Sequence, residues 1–406
     1  MSSEGRAKLL RVLRPLFAVV VLAAVAWYVP DWTDVLEWTD PASGDRATVP
    51  GTIEGGWREP TITFVPGAAA PAEMPAALRA QLVEGRAVVV TEAAIGAAPN
   101  AGHKVRPSMP RVFRELEARW MWAALGLLFA AAGASIVRWW RLLAVAGCRT
   151  SLGRVSQLTF LGFFFNLVVP GLTGGDVIKA ALVVRDNPGR RADALISVVV
   201  DRGIGLVTLV GLACGVVLFS SDRFVEVRWP VLATFAAMLG ALFLAMHSAP
   251  RRLLKLDRVL KRLPAQERLR SLDRALRIYA DHPIELAGAV LFSVANHALI
   301  ATAIQCLGLA FNGGLSWIEY MGITAIANVV SSLPVAPAGW GVGELAFGYL
   351  FDLLGSLDTI GIAVSITYRL LTMVLGLAGG LFLLMPGGRE VRQELEHEGV
   401  SSPPAS

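Results

Sequence analysis

Leu286–Phe311 reads LAGAVLFSVANHALIATAIQCLGLAF, twenty-six residues without one Asp, Glu, Lys or Arg, broken in polarity mainly by His297. A helix of about 20 such residues crosses the ~30 Å hydrocarbon layer of a bilayer. Trp229–Met246 is a second uncharged run of this kind. Soluble domains carry about 25% charged residues. This 406-residue chain carries 17%, is 54% hydrophobic and has a mean hydropathy of +0.56. These runs predict an all-α polytopic membrane protein, a helical bundle and not an enzyme.

The net charge of +5 does not point to nucleic acid. The basic residues sit at the ends of apolar runs, where the positive-inside bias puts them, and no basic–aromatic platform for single strands is present. Cys148, Cys214 and Cys306 have no paired spacing and lie in or beside apolar segments. They read as buried thiols, with no disulfide framework and no metal site. No HExxH, nucleophile elbow or phosphate-cradling GKS/T occurs, so no cofactor is expected.

Working outward, residues 1–30 hold a basic start (Arg6, Lys8, Arg11, Arg14) and then an apolar stretch. This is a signal peptide, with Ala24-Val25-Ala26 as a small-residue cleavage site, or a retained anchor helix. Trp27, Tyr28 and Trp32 suit an interfacial belt and favour the anchor. Residues 31–118 contain more acids than bases and recurrent Pro and Gly. They predict a small extracytoplasmic insertion with some β, signalled by Thr61–Val65 and Ala87–Thr91. Residues 119–386 form the predicted bundle and 387–406 a polar cytoplasmic tail. Both termini are placed in the cytoplasm and the protein in the inner membrane. Spans are predicted at Trp120–Val137 (ending at the basic group Arg138, Arg141, Arg149, Arg154), Ala194–Phe219, Trp229–Met246, Ile284–Phe311 and Thr359–Pro386. The loop 249–282 holds ten Lys or Arg against four acids. Its amphipathic RRLLKLDRVLKRL reads as a helix on the anionic inner leaflet or as a solvated topogenic loop.

Two further segments do not fit a simple crossing. Val155–Gly175 has basic residues on both sides, and Trp317–Gly355 has no basic residue at all. Two inverted re-entrant hairpins resolve the charge bias, with irregular backbone tolerated only where protein or a polar cavity satisfies it. The first reads Asn166, Pro170, Gly174, Gly175, Asp176, then Asp201-Arg202. The second reads Asn328, Pro334, Pro337, Gly341, Gly343, Glu344, then Arg369. The acid-to-arginine separations are 26 and 25 residues. Paired Gly/Pro-interrupted segments in opposite halves point to an inverted-repeat transporter with a site near the midplane. The prolines and glycines would shape a cavity. Asp176, Lys179, Asp201, Arg202, Glu344, Arg369, Asn166 and Asn328 are the candidate substrate-binding residues, since intramembrane charge is costly and guanidinium forks suit phosphate oxygens. The competing role for Asp176 and Glu344 is to bridge Arg202 and Arg369 and lock the hairpins. His297 reads as a helix contact or a proton relay.

The segments NLVVPGLTGGDVIKAALVVRD (166–186), SVVVDRGIGLVTL (197–209) and SSLPVAPAGWGVGELAF (331–347) resemble the lysylphosphatidylglycerol synthetase transmembrane region, the flippase-like integral membrane proteins. The resemblance covers roughly 120–386 and implies a lipid-handling bundle. In fused relatives it accompanies an aminoacyl transferase domain, for which the twenty residues after Pro386 leave no room. The expected activity is translocation of a charged-headgroup phospholipid or isoprenoid-linked lipid between leaflets. The alternatives are an accessory subunit of an envelope-lipid or glycosylation complex, docking through 31–118 and the basic loop, and a membrane transferase using a lipid carrier.

Overall fold

A computed structural model describes residues 32–91 (apart from 41, 42, 44 and 60), 103–168, 174–246, 278–331 (apart from 280) and 341–382. Residues 1–31, nearly all of the basic loop 249–282 and the tail lie outside the described residues, as do Pro170, Pro334 and Pro337.

The N-terminal part is an antiparallel sheet. β1 (Asp34–Thr39), β2 (Arg46–Glu54), β3 (Thr61–Pro66), β4 (Val88–Thr91) and β5 (His103–Arg106) are ordered β4-β3-β2-β1-β5. The two runs read as strands in the sequence are β3 and β4. β2 alternates strictly between buried and exposed residues, the period-2 signature of a half-buried strand. Its Gly51 has no room for a side chain, because a Cβ would enter the Val65 carbonyl and the Phe64 ring on β3. Two short helices accompany the sheet, α1 (Ala76–Gln81) and α2 (Met109–Arg114). Asp34 ties these pieces together. Its carboxylate, 4% exposed, accepts the N–H groups of Ile53 (2.8 Å) and Ser108 (2.7 Å) and the Arg111 Nε–H (2.9 Å).

The remaining elements are helices: α3 (Ala118–Val145), α4 (Leu152–Val168), α5 (Gly174–Asp186), α6 (Arg191–Phe219), α7 (Val225–Met246), α8 (Pro283–Ala310), α9 (Trp317–Ser331), α10 (Val342–Leu353) and α11 (Asp358–Leu381). Among the described residues, four helices are long and apolar enough to cross a membrane: Ala118–Val145, Pro188–Phe219, Pro283–Ala310 and Asp358–Leu381. At 1.5 Å per residue the shortest of them is about 36 Å long. The arms of the two expected hairpins are shorter: α4 and α5 come to about 26 and 20 Å, and α9 and α10 to about 23 and 18 Å. Each falls short of a ~30 Å hydrocarbon core. The breaks between the arms, 169–173 and 332–340, lie outside the described residues.

One boundary differs from the sequence reading. The first span does not stop at Val137 but runs on to Val145, carrying Arg138 inside the helix. Trp139, Leu142 and Leu143 follow it at helical spacing and are all buried, which holds that last turn and a half in the core.

The chain divides into two compact units. One comprises the sheet region through Ala123 with Ile304–Ser316 and Trp340–Tyr368. The other comprises Ala124–Ala303, Trp317–Gly339 and the chain from Arg369. In the second unit, Trp139, Leu142 and Leu143 of α3 pack with Val155, Leu158 and Leu161 of α4, Leu182 and Val183 of α5, and Ala194 and Val198 of α6. The glycines Gly376, Gly379 and Gly380 of α11 meet Phe163, Phe160 and Phe164 of α4. A Cβ at Gly379 would enter the Phe160 carbonyl, so the small residues set how closely these helices approach.

Candidate functional site

The site grows from helix geometry on α5 and α6. Asp176 and Lys179 are three residues apart on α5 and therefore share a face. Asp201 and Arg202 are adjacent on α6 and diverge by about 100°. Asp201 turns inward and is 2% exposed, while the Arg202 side chain is half exposed. The outward arginine pairs with Asp176 of α5. The inward aspartate accepts Arg138 Nε–H from α3 at 2.8 Å and has Lys179 Nζ 3.7 Å from its other oxygen. Arg138 Nη1 also donates to Ser293 Oγ of α8 at 3.0 Å.

Five ionisable side chains from three helices thus surround one cleft, lined also by Ser135, Thr159, Gly162, Phe163 and Asn166, with about 50 Å³ of free space. Trp139 forms part of its support. Lys179 Nζ lies 3.6 Å from the centre of that indole, and the indole N–H donates to Ser197 Oγ at 3.2 Å. An ammonium over an indole face is held by the ring quadrupole. Asn166 of α4 is tied to the N-terminus of α5: its Oδ1 accepts the Gly175 N–H at 2.8 Å. Gly175 must be glycine here, because a Cβ would enter the Gly162 carbonyl. Asp176 in the same first turn faces the positive end of the helix dipole.

The second motif is arranged differently. Gly341, at φ +83°, is the N-cap of α10, a backbone conformation that favours glycine. Its N–H donates to Glu344 Oε2 at 2.7 Å, so the 5%-exposed glutamate serves the start of its own helix. Gly343 is buried beside it. Asn328 lies near the end of α9 and Arg369 midway along α11, both half-buried. His297 Nε2–H donates to the Gly205 carbonyl at 3.1 Å and Asn296 to the Ala131 carbonyl at 2.7 Å, both helix-to-helix contacts.

Arg138 is the residue of the site that charge bias alone places among the topogenic basic residues. The signal that marks it is the apolar pattern continuing past it, Trp139, Leu142 and Leu143, which says that the helix has not yet ended.

A family model described as the lysylphosphatidylglycerol synthase TM region matches residues 107–380, which takes in every helix from α2 to α11 and begins just after β5. The UPF0104 membrane protein PH1989 of Pyrococcus horikoshii is 21% identical over 272 residues, 61% of this chain and 81% of that protein. No solved structure matches the chain significantly. The chain therefore belongs to the lysylphosphatidylglycerol synthase TM region family of membrane proteins.

Proposed function

We propose that the chain is a lipid translocase that moves a charged-headgroup phospholipid or isoprenoid-linked lipid between leaflets without chemical change. The observation that carries this reading is the cleft bounded by Arg138, Asp176, Lys179, Asp201 and Arg202 within a helical unit of a membrane family. Charge inside a bilayer-spanning bundle is costly, and its usual return is a polar path for a substrate. The short arms α4–α5 and α9–α10 support two re-entrant hairpins, with the Pro/Gly breaks at depth and the headgroup passing beside them. Arg369 and Asn328 contribute from the second motif. The basic loop 249–282 rests on the anionic inner leaflet, and both termini are cytoplasmic.

The test is transbilayer movement in proteoliposomes of the full chain, with headgroup-labelled phospholipids and lipid-linked sugars. Arg202→Ala and Arg369→Ala are the variants. Movement in the wild type, reduced at least tenfold in variants that remain folded, is the expected result. No movement of any lipid, together with loss of stability in both variants, would leave the charges as structural locks and end the translocase reading.

A further inference from the structure

Two buried side chains line the cleft with donor capacity for a further acceptor. The first is Lys179, whose side chain is 6% exposed; it is ion-paired with Asp201 at 3.7 Å, a distance beyond hydrogen-bond reach. The second is the Thr159 hydroxyl on α4. A helical threonine ordinarily donates to the carbonyl one turn back. Thr234, Thr302, Thr324 and Thr367 all do so here, at 2.6 to 2.8 Å, and Thr159 does not. Buried donors are seldom left unmade, and each such group calls for an explanation.

Charge and size narrow the answer. Arg138, Lys179 and Arg202 face Asp176 and Asp201, which leaves one positive charge in excess. An amine headgroup would add a second. Arg138 already donates to Asp201 and Ser293 and Arg202 to Asp176, whereas among the described residues Lys179 is held by an ion pair and a ring face and the Thr159 hydroxyl makes no hydrogen bond. The cleft has about 50 Å³ of free space, room for a small oxygen-bearing group.

We propose that the α3–α6 cleft is a binding site for a single oxyanion of the phosphodiester type, whose oxygens accept from the Lys179 ammonium and the Thr159 hydroxyl. Trp139 positions Lys179 from below, and the Arg138–Asp201 pair forms a neutral wall behind it. This inference rests on the reading of the cleft as the headgroup site, but it names which part of the headgroup enters: the phosphate, not an amine. A lipid phosphodiester and free phosphate share this chemistry.

The test uses the full chain purified in dodecyl maltoside without phosphate. Thermal-shift titrations compare inorganic phosphate, dihexanoyl phosphatidylglycerol below its micellar concentration, and dihexanoylglycerol, which lacks the phosphate. Saturable stabilisation by the phosphodiester and none by the diglyceride is expected. Affinity should fall at least tenfold in Lys179→Gln, survive in Lys179→Arg, and fall roughly threefold or more in Thr159→Val, a near-isosteric change that decides the matter if Lys179→Gln fails to fold. Equal stabilisation by inorganic phosphate would assign the site to the free anion. No saturable effect of either phosphate ligand, or unchanged affinity in folded Lys179→Gln and Thr159→Val, would overturn the proposal. Binding without lipid movement in proteoliposomes would retain this site and end the translocase reading; movement without phosphate binding would do the reverse.

Discussion

Asp201 is where the physics of single residues is sharpest. It has two buried cations on one side, Arg138 at hydrogen-bond distance and Lys179 at 3.7 Å. Removing a partner from a buried pair costs more than the pair itself is worth, typically about 3–5 kcal/mol, because the remaining charge has no compensation. Asp201→Ala is therefore expected to lower the unfolding midpoint of the detergent-purified protein sharply. Arg138→Lys should fall between it and the wild type, since an ammonium cannot reproduce the fork that reaches both Asp201 and Ser293. A midpoint unchanged in Asp201→Ala would show that the pair does not contribute. Gly175→Ala makes a steric point: a Cβ there enters the Gly162 carbonyl, and forced overpacking costs about 1–3 kcal/mol. Most of these residues stand out in the sequence because charge is rare in apolar runs, so Asp176, Lys179, Asp201 and Arg202 declare themselves. Arg138 does not, since a basic residue near the end of a predicted span looks topogenic. Only the buried Trp139, Leu142 and Leu143 beyond it say otherwise.

At the scale of elements, the two Gly/Pro motifs resemble each other in sequence and differ in local construction. The first helix start, at α5, takes its acceptor from the preceding helix through Asn166; the second, at α10, takes it from its own third residue, Glu344. Loss of such a cap costs about 0.5–2 kcal/mol. Asn166→Ala should destabilise the protein by that order, and Asn166→Asp, which keeps an acceptor, should not; matched midpoints for the two variants would contradict the capping role. Glu344→Gln keeps a side-chain carbonyl for the Gly341 N–H and should retain stability that Glu344→Ala loses. The helices were legible because uncharged runs of the right length have few alternatives. The strands were less so. β3 is an unbroken β-favouring run, TITFVP, but β2 contains Pro50 and Gly51, which weaken a strand reading, and β5 is four residues with a charge at each alternate step, HKVR. Its partner β1 is buried even at Asp34 and Glu37, because Arg111 and Arg106 neutralise them from neighbouring elements. No local pattern announces such pairs.

At the scale of the molecule, the sheet is joined by ion pairs to the family fold within its own unit. Asp352, in the last turn of α10 and beyond the candidate spans, accepts from Lys104 of β5 at 2.9 Å and faces Arg46 of β2 at 3.6 Å. Arg106 bridges the buried Glu37 and Asp358 at the start of α11. Burial pushes the Asp352 carboxyl up, but the Lys104 hydrogen bond and the charges of Lys104, Arg46 and Arg106 outweigh it and hold the group below the usual carboxylate range. A folded-state pKa below the unfolded value of about 3.9 contributes stability that is present above roughly pH 4 and lost as pH falls through the folded value. The unfolding midpoint should therefore drop on acidification below pH ~4, and Asp352→Asn should show a lower midpoint at neutral pH with a smaller acid decrement. An identical pH profile in the variant would contradict this. Translocation through this bundle requires that the charged cleft hold a lipid headgroup, and site-specific photocrosslinking tests that most directly. With benzoylphenylalanine in place of the cleft-lining Phe163, irradiated membranes should yield a lipid adduct attached through its headgroup or glycerol, as read by fragmentation of the crosslinked peptide. Adducts to acyl chains alone, or none, would contradict the account.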